Sequence, residues 1–179
     1  MTDTSLARDW NAADAMRDAP RLGLGTRLGL LLSSPRSVER GLDVVPSHGG
    51  SDRALNLLRG LAERAGVRAP ELRIYKGPPN AVVVPGHGPV ALADSALDQL
   101  ARTELEAVLA HCLVRLAHAR RTDPVGYADD VRAVALTRYP PGLAKALERL
   151  VPQDSHWFVV ASVRSHRPVA ERIAALEEL

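Results

Sequence analysis

The chain has 179 residues, of which 46% are hydrophobic and only 3% aromatic, so one core of leucine, valine and alanine is expected. Lysine and arginine total 23 against 21 acidic residues, and no basic stripe interleaved with aromatic side chains indicates a nucleic-acid binder. Cys112 is the single cysteine, which excludes an intrachain disulfide and favours a reducing, cytoplasmic location. The most apolar N-terminal stretch, residues 22–32, is too short to span a bilayer, so no membrane span is expected.

The sequence predicts an N-terminal arm, residues 1–50, followed by a folded domain, residues 51–179. The arm is rich in polar residues, glycine and proline, and it is either flexible or docks on the core or on a partner. A helix then begins at Ser51, which can cap it, and ends at Gly66, where a left-handed terminator is expected. Three short β-rich runs predict a small sheet, at residues 72–75, 81–84 and 89–92.

The second half of the domain is predicted to be helical, which gives a mostly helical α+β fold. A short helix over residues 94–100 leads to a central helix over residues 103–121, which is apolar on nearly every face and therefore buried. Thr103 and Glu106 have the spacing of a capping box at the start of this central helix. Further helices are predicted at residues 125–138, 141–150 and 168–179, with a loop over residues 152–166.

The central helix carries two polar residues, His111 and Arg115, four positions apart and therefore on one face. In a zincin both positions are histidine, in the motif H-E-x-x-H, because that spacing lets two imidazoles bind one Zn²⁺ beside a general-base glutamate. Here Cys112 stands at the glutamate position and Arg115 at the second histidine position. The spacing of the motif is kept, but most of its chemistry is missing.

Several short segments in a fixed order carry a resemblance to a known family. They are the helix over residues 55–66 leading to Arg68-Ala69-Pro70, then Pro79-Asn80-Ala81, the run ELEAVLAH at residues 104–111, Asp130-x-x-Ala133-x-x-Leu136-Thr137, and Ser165-His166-Arg167-Pro168 before an E-R-I helix. Residues 51–179 thereby resemble the HtpX and CAAX prenyl protease group of gluzincin metallopeptidases, especially its small bacterial members. The resemblance implies a zincin-like peptidase domain of the minigluzincin type, with a small three-stranded sheet.

The same resemblance implies that the zinc site is largely lost. His111 keeps the first histidine ligand, whereas Cys112 replaces the general base and Arg115 the second histidine. Counting back from Asp130 in the family motif E-x-x-A-D-x-x-A-x-x-L-T places Gly126 at the glutamate ligand. A catalytic zinc needs three protein ligands, and Arg115 adds a permanent positive charge, so neither zinc nor another cofactor is expected.

Three side chains have alternative interpretations. The guanidinium of Arg115 either bridges to Asp129 or Asp130 in place of the metal, or extends to the mouth of the cleft. Cys112 is expected to be an inert core residue, since a lone cysteine in an apolar helix seldom reacts. His166 either lines the cleft, as its counterpart does in the family, or is a cap or loop residue just before the last helix.

Two functions follow from the resemblance. The first is a catalytically inactive peptidase-fold protein, a pseudoenzyme, that binds a peptide or protein partner along the edge of its sheet. The second is a zinc-dependent metalloendopeptidase with a non-standard site. The residues expected to form the peptide-binding edge are Ala81, Val82, Val83 and Val84, and those expected at the cleft are Asn80, Asp130 and His166.

Overall fold

A computed structural model describes residues 44–45, 49–77, 79–84, 87–118, 127–150 and 169–179. Within these ranges the elements in chain order are β1 (Val44–Val45), α1 (Gly49–Arg64), β2 (Leu72–Tyr75), β3 (Ala81–Val84), β4 (His87–Ala93), α2 (Asp94–Gln99), α3 (Arg102–His118), α4 (Tyr127–Thr137), α5 (Pro140–Leu150) and α6 (Val169–Glu177). The mostly helical α+β architecture is the one predicted. The predicted loop over residues 152–166 and most of the predicted arm lie outside the described residues.

The sheet is mixed and has the strand order β1-β2-β4-β3. Strand β2 runs parallel to β4, and β3 runs antiparallel to β4 on its other side. The three predicted strands are therefore confirmed. Ahead of them the two-residue strand β1 pairs antiparallel with β2 and extends the sheet to four strands. Strand β1 lies in the region predicted as an arm, where two residues are too few to show an alternating pattern.

Helix α3 lies at the centre of the domain and contacts α1, α4, α5, β3 and β4. Its leucines Leu105 and Leu109 are fully buried, as is Val108 between them. This agrees with its apolar sequence, because a helix that is contacted on several sides must be apolar on several faces. The central position of α3 brings its polar residues into contact with neighbouring helices rather than with water.

The start of α3 differs from the predicted capping box. The helix begins at Arg102, so Thr103 lies inside its first turn and cannot be the cap. Glu104 instead accepts a hydrogen bond from the Ala101 N–H at 2.8 Å. This is the glutamate-to-backbone bond of a capping box, and it lies two residues before the predicted one. Glu106 pairs with Arg64 at the end of α1.

Helix α1 shows one wrong and one correct prediction at its ends. It begins at Gly49, so Ser51 is a buried residue within the helix and not its cap. At the other end Gly66 has a left-handed φ of 66°, as predicted. The Gly66 N–H donates to the Glu63 carbonyl and the Val67 N–H to the Ala62 carbonyl, both at 3.0 Å, which completes a Schellman motif.

Two glycines of this region allow a matched test of backbone energetics. Gly60→Ala is expected to raise the free energy of unfolding by about 0.5–1 kcal/mol, because Gly60 lies within α1 and an added Cβ meets no atom within 4 Å. Gly66→Ala is the control, since its surroundings are equally open but its φ is positive, and a loss of about 1–2 kcal/mol is expected. Urea unfolding measures both, and shifts of the same sign would contradict this explanation.

Candidate functional site

The side chains of His111, Cys112 and Arg115 are all fully buried on α3. His111 and Arg115 share a face, and both contact acidic residues near the start of α4, Asp129 and Asp130. Cys112 instead belongs to the apolar core. The helical periodicity therefore places the polar side chains of His111 and Arg115 on one face of α3 and Cys112 on another.

Arg115 forms a buried ion pair with Asp129. Its Nη1 donates to Asp129 Oδ2 at 2.9 Å, and the two residues are 0% and 6% exposed. Arg132 approaches the same carboxylate from the solvent side, with Nη1 3.8 Å from Oδ1. The predicted bridge to an acidic residue is thus confirmed with Asp129 as the partner. The alternative, in which Arg115 extends to the cleft mouth, is wrong because no part of this residue reaches solvent.

Asp130 is bound by two other residues and does not pair with Arg115. Arg172 of α6 donates to both carboxylate oxygens, from Nε at 2.8 Å and from Nη2 at 2.6 Å. His111 Nδ1 lies 3.1 Å from Asp130 Oδ1. Burial alone would raise the pKa of Asp130, but the hydrogen bonds and charge of Arg172, together with the adjacent His111, outweigh it and hold that pKa well below its ordinary value. Asp130 is therefore an ionised carboxylate that connects α3, α4 and α6.

His111 makes no hydrogen bond within the described part of the chain. Its Nδ1 lies 3.1 Å from Asp130 Oδ1, but neither Nδ1 nor Nε2 has a hydrogen-bond partner among the described residues. A buried imidazole of this kind is a candidate metal ligand. However, the described part of the chain contains no group of three His, Cys, Asp or Glu residues that could hold a metal ion.

The Cys112 thiol is protonated and shielded from solvent. Its side chain is 0% exposed, and burial raises the pKa of Cys112 to about 12. A thiol with this pKa is neither a nucleophile nor a proton acceptor near neutral pH. The expectation of a core cysteine is therefore confirmed, and its lack of reactivity stays a prediction.

Alkylation of Cys112 tests this directly. Native protein treated with iodoacetamide at about pH 8 is expected to remain unmodified over hours, because the thiolate is scarce and the sulfur is inaccessible. The same treatment in guanidinium chloride is the control and should add one label to each chain, since the chain has one cysteine. Rapid stoichiometric labelling of the native protein, measured by mass spectrometry, would show an exposed reactive thiol instead.

Strand β3 lies at the edge of the sheet next to α3. The Ala93 N–H donates to the Asn80 carbonyl at 2.9 Å, which makes residues 80 and 93 a hydrogen-bonded pair. The peptide groups of the next residue, Ala81, must then face away from β4. The Ala81 N–H is satisfied by its neighbour's side chain, donating to Asn80 Oδ1 at 2.8 Å. Asn80 therefore occupies one hydrogen-bonding position on this edge.

The side chains of β3 fit the predicted edge strand only in part. Ala81 and Val83 are buried in the core, whereas Val82 is half-buried on the opposite face. The pairing with β4 is irregular between Val82 and Val84. Among the described strands, β3 pairs with β4 alone, so its outer edge pairs with no other described strand.

Arg172 is a residue of this buried charge cluster that the sequence pattern did not single out. It lies in the E-R-I segment, which was used only to recognise the last helix. The available signal was an arginine at the centre of a helical pattern rich in alanine and leucine, because such a buried charge requires a partner. Two predicted site residues, Gly126 and His166, lie outside the described residues, so their roles remain predictions.

The fold is a mostly helical, zincin-like α+β domain, in which the buried helix α3, with His111 and Arg115, lies next to an edge strand. Comparison with known proteins points to one group. The chain is 31% identical over 110 residues to a protein named Protease HtpX homolog from Acidovorax ebreus (strain TPSY), which covers 58% of this chain and 37% of that protein. It is 33% identical over 107 residues to the protein of the same name from Herminiimonas arsenicoxydans, covering 56% and 36%.

A third relative of the same name, from Chlorobium phaeovibrioides, is 34% identical over 110 residues, covering 56% of this chain and 36% of that protein. The chain thus spans little more than a third of the length of these relatives. No protein-family model and no solved structure matches it. The relatives support an HtpX-like family. No helix in the described part of the chain is long and apolar enough to cross a membrane.

Proposed function

We propose that this chain is a catalytically inactive member of the HtpX-like peptidases that binds an extended peptide or protein segment without cleaving it. The observation that carries the proposal is the buried ion pair of Arg115 with Asp129 at 2.9 Å, on the helix face where the family bears a zinc ligand. Arg115 is permanently protonated and cannot donate an electron pair to a metal. The position of the family's second zinc ligand therefore carries a cation, which repels a metal ion instead of binding it.

The remaining positions of the site do not fit a zinc ion or a hydrolytic mechanism. The family's general base is replaced by Cys112, whose thiol stays protonated near neutral pH because burial raises its pKa to about 12. Gly126, at the position of the third ligand, has no side chain that could bind a metal. His111 alone is one ligand where a catalytic zinc needs three. No general base remains at these positions to activate water.

The edge of β3 supports the binding part of the proposal. An extended peptide can add to a sheet edge through backbone hydrogen bonds, and this needs no metal. The strand is an uncharged run of Ala81 and three valines, without the lysine or proline that often protects an edge from pairing. The pairing of Asn80 with Ala93 implies that the peptide groups of Ala81 face away from β4, on the side where a strand would add. We therefore place the bound segment along β3.

Catalysis is tested by metal analysis and a cleavage assay on one preparation. Protein purified without chelators is expected to contain less than one zinc per ten chains, and denatured casein should remain intact after prolonged incubation with added zinc. A relative with the complete H-E-x-x-H motif serves as the positive control. Stoichiometric zinc together with cleavage that a chelator abolishes would reject the proposal.

That outcome would support the second candidate, a zinc-dependent metalloendopeptidase with a non-standard site. The observation in its favour is that the relatives are named Protease HtpX homolog. It would require zinc ligands from residues other than those at positions 112, 115 and 126.

Binding is tested with a synthetic decapeptide that carries a central run of valine and threonine. Saturable binding measured by fluorescence anisotropy is expected, with slower amide hydrogen exchange in β3. A peptide of the same sequence with alternate amides N-methylated is the control, because it cannot form the strand hydrogen bonds. Equal binding of the two peptides would exclude addition to the edge.

Asn80→Ala sharpens the binding test. The change releases the Ala81 N–H for an incoming strand, so peptide affinity should rise at least threefold. In the free protein it should lower the free energy of unfolding by about 1 kcal/mol, because a buried N–H loses its acceptor. An unchanged affinity in a folded variant would show that the peptide does not reach this end of β3.

A further inference from the structure

Two residues that differ from the family motif contact each other in the structure. Arg115 stands where the family has its second histidine, and in the motif E-x-x-A-D the position of the alanine is occupied here by Asp129. These two residues are the ones that form the 2.9 Å ion pair. The motif's aspartate, Asp130, keeps separate partners, Arg172 and His111. The unusual cation and the unusual carboxylate are therefore partners of each other.

Burial makes the two departures depend on each other. A fully buried guanidinium without a carboxylate, or a buried carboxylate without a cation, is strongly unfavourable, whereas the pair is tolerated. Arg115 is 0% exposed and the side chain of Asp129 is 8% exposed. If either partner is removed, water therefore cannot solvate the remaining charge well. A divalent cation beside Arg115 would also meet direct charge repulsion.

The ion pair joins the same parts of the chain that a zinc ion would join. The family's zinc ligands lie on the helix corresponding to α3 and at the position of Gly126, immediately before α4 begins at Tyr127. Arg115 lies on α3 and Asp129 in the first turn of α4. We infer that the Arg115–Asp129 ion pair replaces the zinc ion as the link between α3 and α4, so that the fold needs no metal. This inference rests on the proposed loss of the zinc site, but it concerns folding and does not depend on whether β3 binds a peptide.

A double-mutant cycle tests the link. Arg115→Met removes the cation with little change of volume, and Asp129→Ala introduces the residue of the family motif. Each single change is expected to raise the equilibrium constant of unfolding on the order of 100-fold or more, because it leaves a buried charge without its partner. The double variant should be no less stable than the less stable of the two single variants, which gives a coupling on the order of 100-fold or more. Additivity of the two single changes within threefold would overturn the inference.

Arg132→Ala is the matched control, because Arg132 approaches the same carboxylate from solvent at 3.8 Å. Its effect on unfolding should stay below about threefold. The wild-type protein gives a second, independent measurement that does not depend on the variants folding. Its melting temperature should be the same within 1 °C in excess EDTA and with one equivalent of zinc. A fall with EDTA or a rise of several degrees with zinc would show that a metal still stabilises the fold.

Discussion

Asp130→Asn is expected to lower the free energy of unfolding by about 3–5 kcal/mol. The carboxylate accepts two hydrogen bonds from Arg172 and contacts His111, and all three residues are almost completely buried. Asparagine keeps the shape but removes the negative charge, and its NH₂ group cannot accept a hydrogen bond from the guanidinium. The Arg172 cation is then left in the core without a counter-ion. Urea unfolding of the variant and the wild type measures the difference.

The control for this change is Asp98→Asn, which makes the same chemical replacement at an exposed carboxylate of α2. Its effect should stay within about 0.5 kcal/mol, as for most surface substitutions. Similar losses in both variants would mean that the amide itself, rather than the loss of a buried charge, causes the effect. A loss at Asp130 below about 1 kcal/mol would show that the contacts with Arg172 contribute little.

The lowered pKa of Asp130 predicts how this contribution depends on pH. In the unfolded chain the carboxyl titrates near its ordinary pKa of about 3.9, whereas Arg172 and His111 keep the native pKa well below that value. The contribution is therefore complete above about pH 4. It shrinks as the pH falls below this value, and it is lost once the pH falls through the native pKa. Between about pH 5 and pH 2 the free energy of unfolding should fall further for the wild type than for Asp130→Asn. Equal falls would contradict the lowered pKa of Asp130.

The sequence was most informative where a local pattern determines the structure. The burial of α3 followed from apolar residues on nearly all its faces, and the end of α1 followed from Gly66, whose left-handed φ glycine adopts without strain. The predicted cap of α3 lies two residues too late in the chain. Glu104 and Glu106 both lie three positions after a residue that can begin a helix, so the pattern allows two starting points. Small differences in packing decide between two such registers, and a local pattern does not contain that information.

The pairing of the buried charges could be predicted only in part. Arg115 was expected to find an acidic partner, but Asp129 and Asp130 are neighbours in sequence and differ by about 100° around α4. The rotation of α4 against α3 therefore decides which of them faces Arg115. The partner of Asp130, Arg172, is 42 residues further along the chain. Contacts at this distance depend on how α6 packs, and no spacing rule in the sequence predicts that packing.

A zinc site is expected to appear when four residues are changed together: Cys112→Glu, Arg115→His, Gly126→Glu and Asp129→Ala. With His111, the new imidazole and the carboxylate at position 126 complete a set of three ligands, and the carboxylate at position 112 restores the base. Zinc at a thousand times its Kd should then stabilise the folded state by about 4 kcal/mol. Calorimetric titration and the rise of the melting temperature with zinc measure this, and the wild type should show neither effect.

The variant that keeps Asp129 but has the other three changes is the matched comparison. Each of those changes makes the site more negative, and Asp129 has then lost the cation with which it pairs in the wild type. Its metal-free form should therefore be the less stable of the two variants, because buried like charges repel. Equal metal-free stabilities would mean that Asp129 does not depend on Arg115. Failure of the fourfold variant to bind zinc would instead show that Arg115 and Gly126 do not stand at ligand positions, which would remove the basis for treating the arginine as a replacement for the metal.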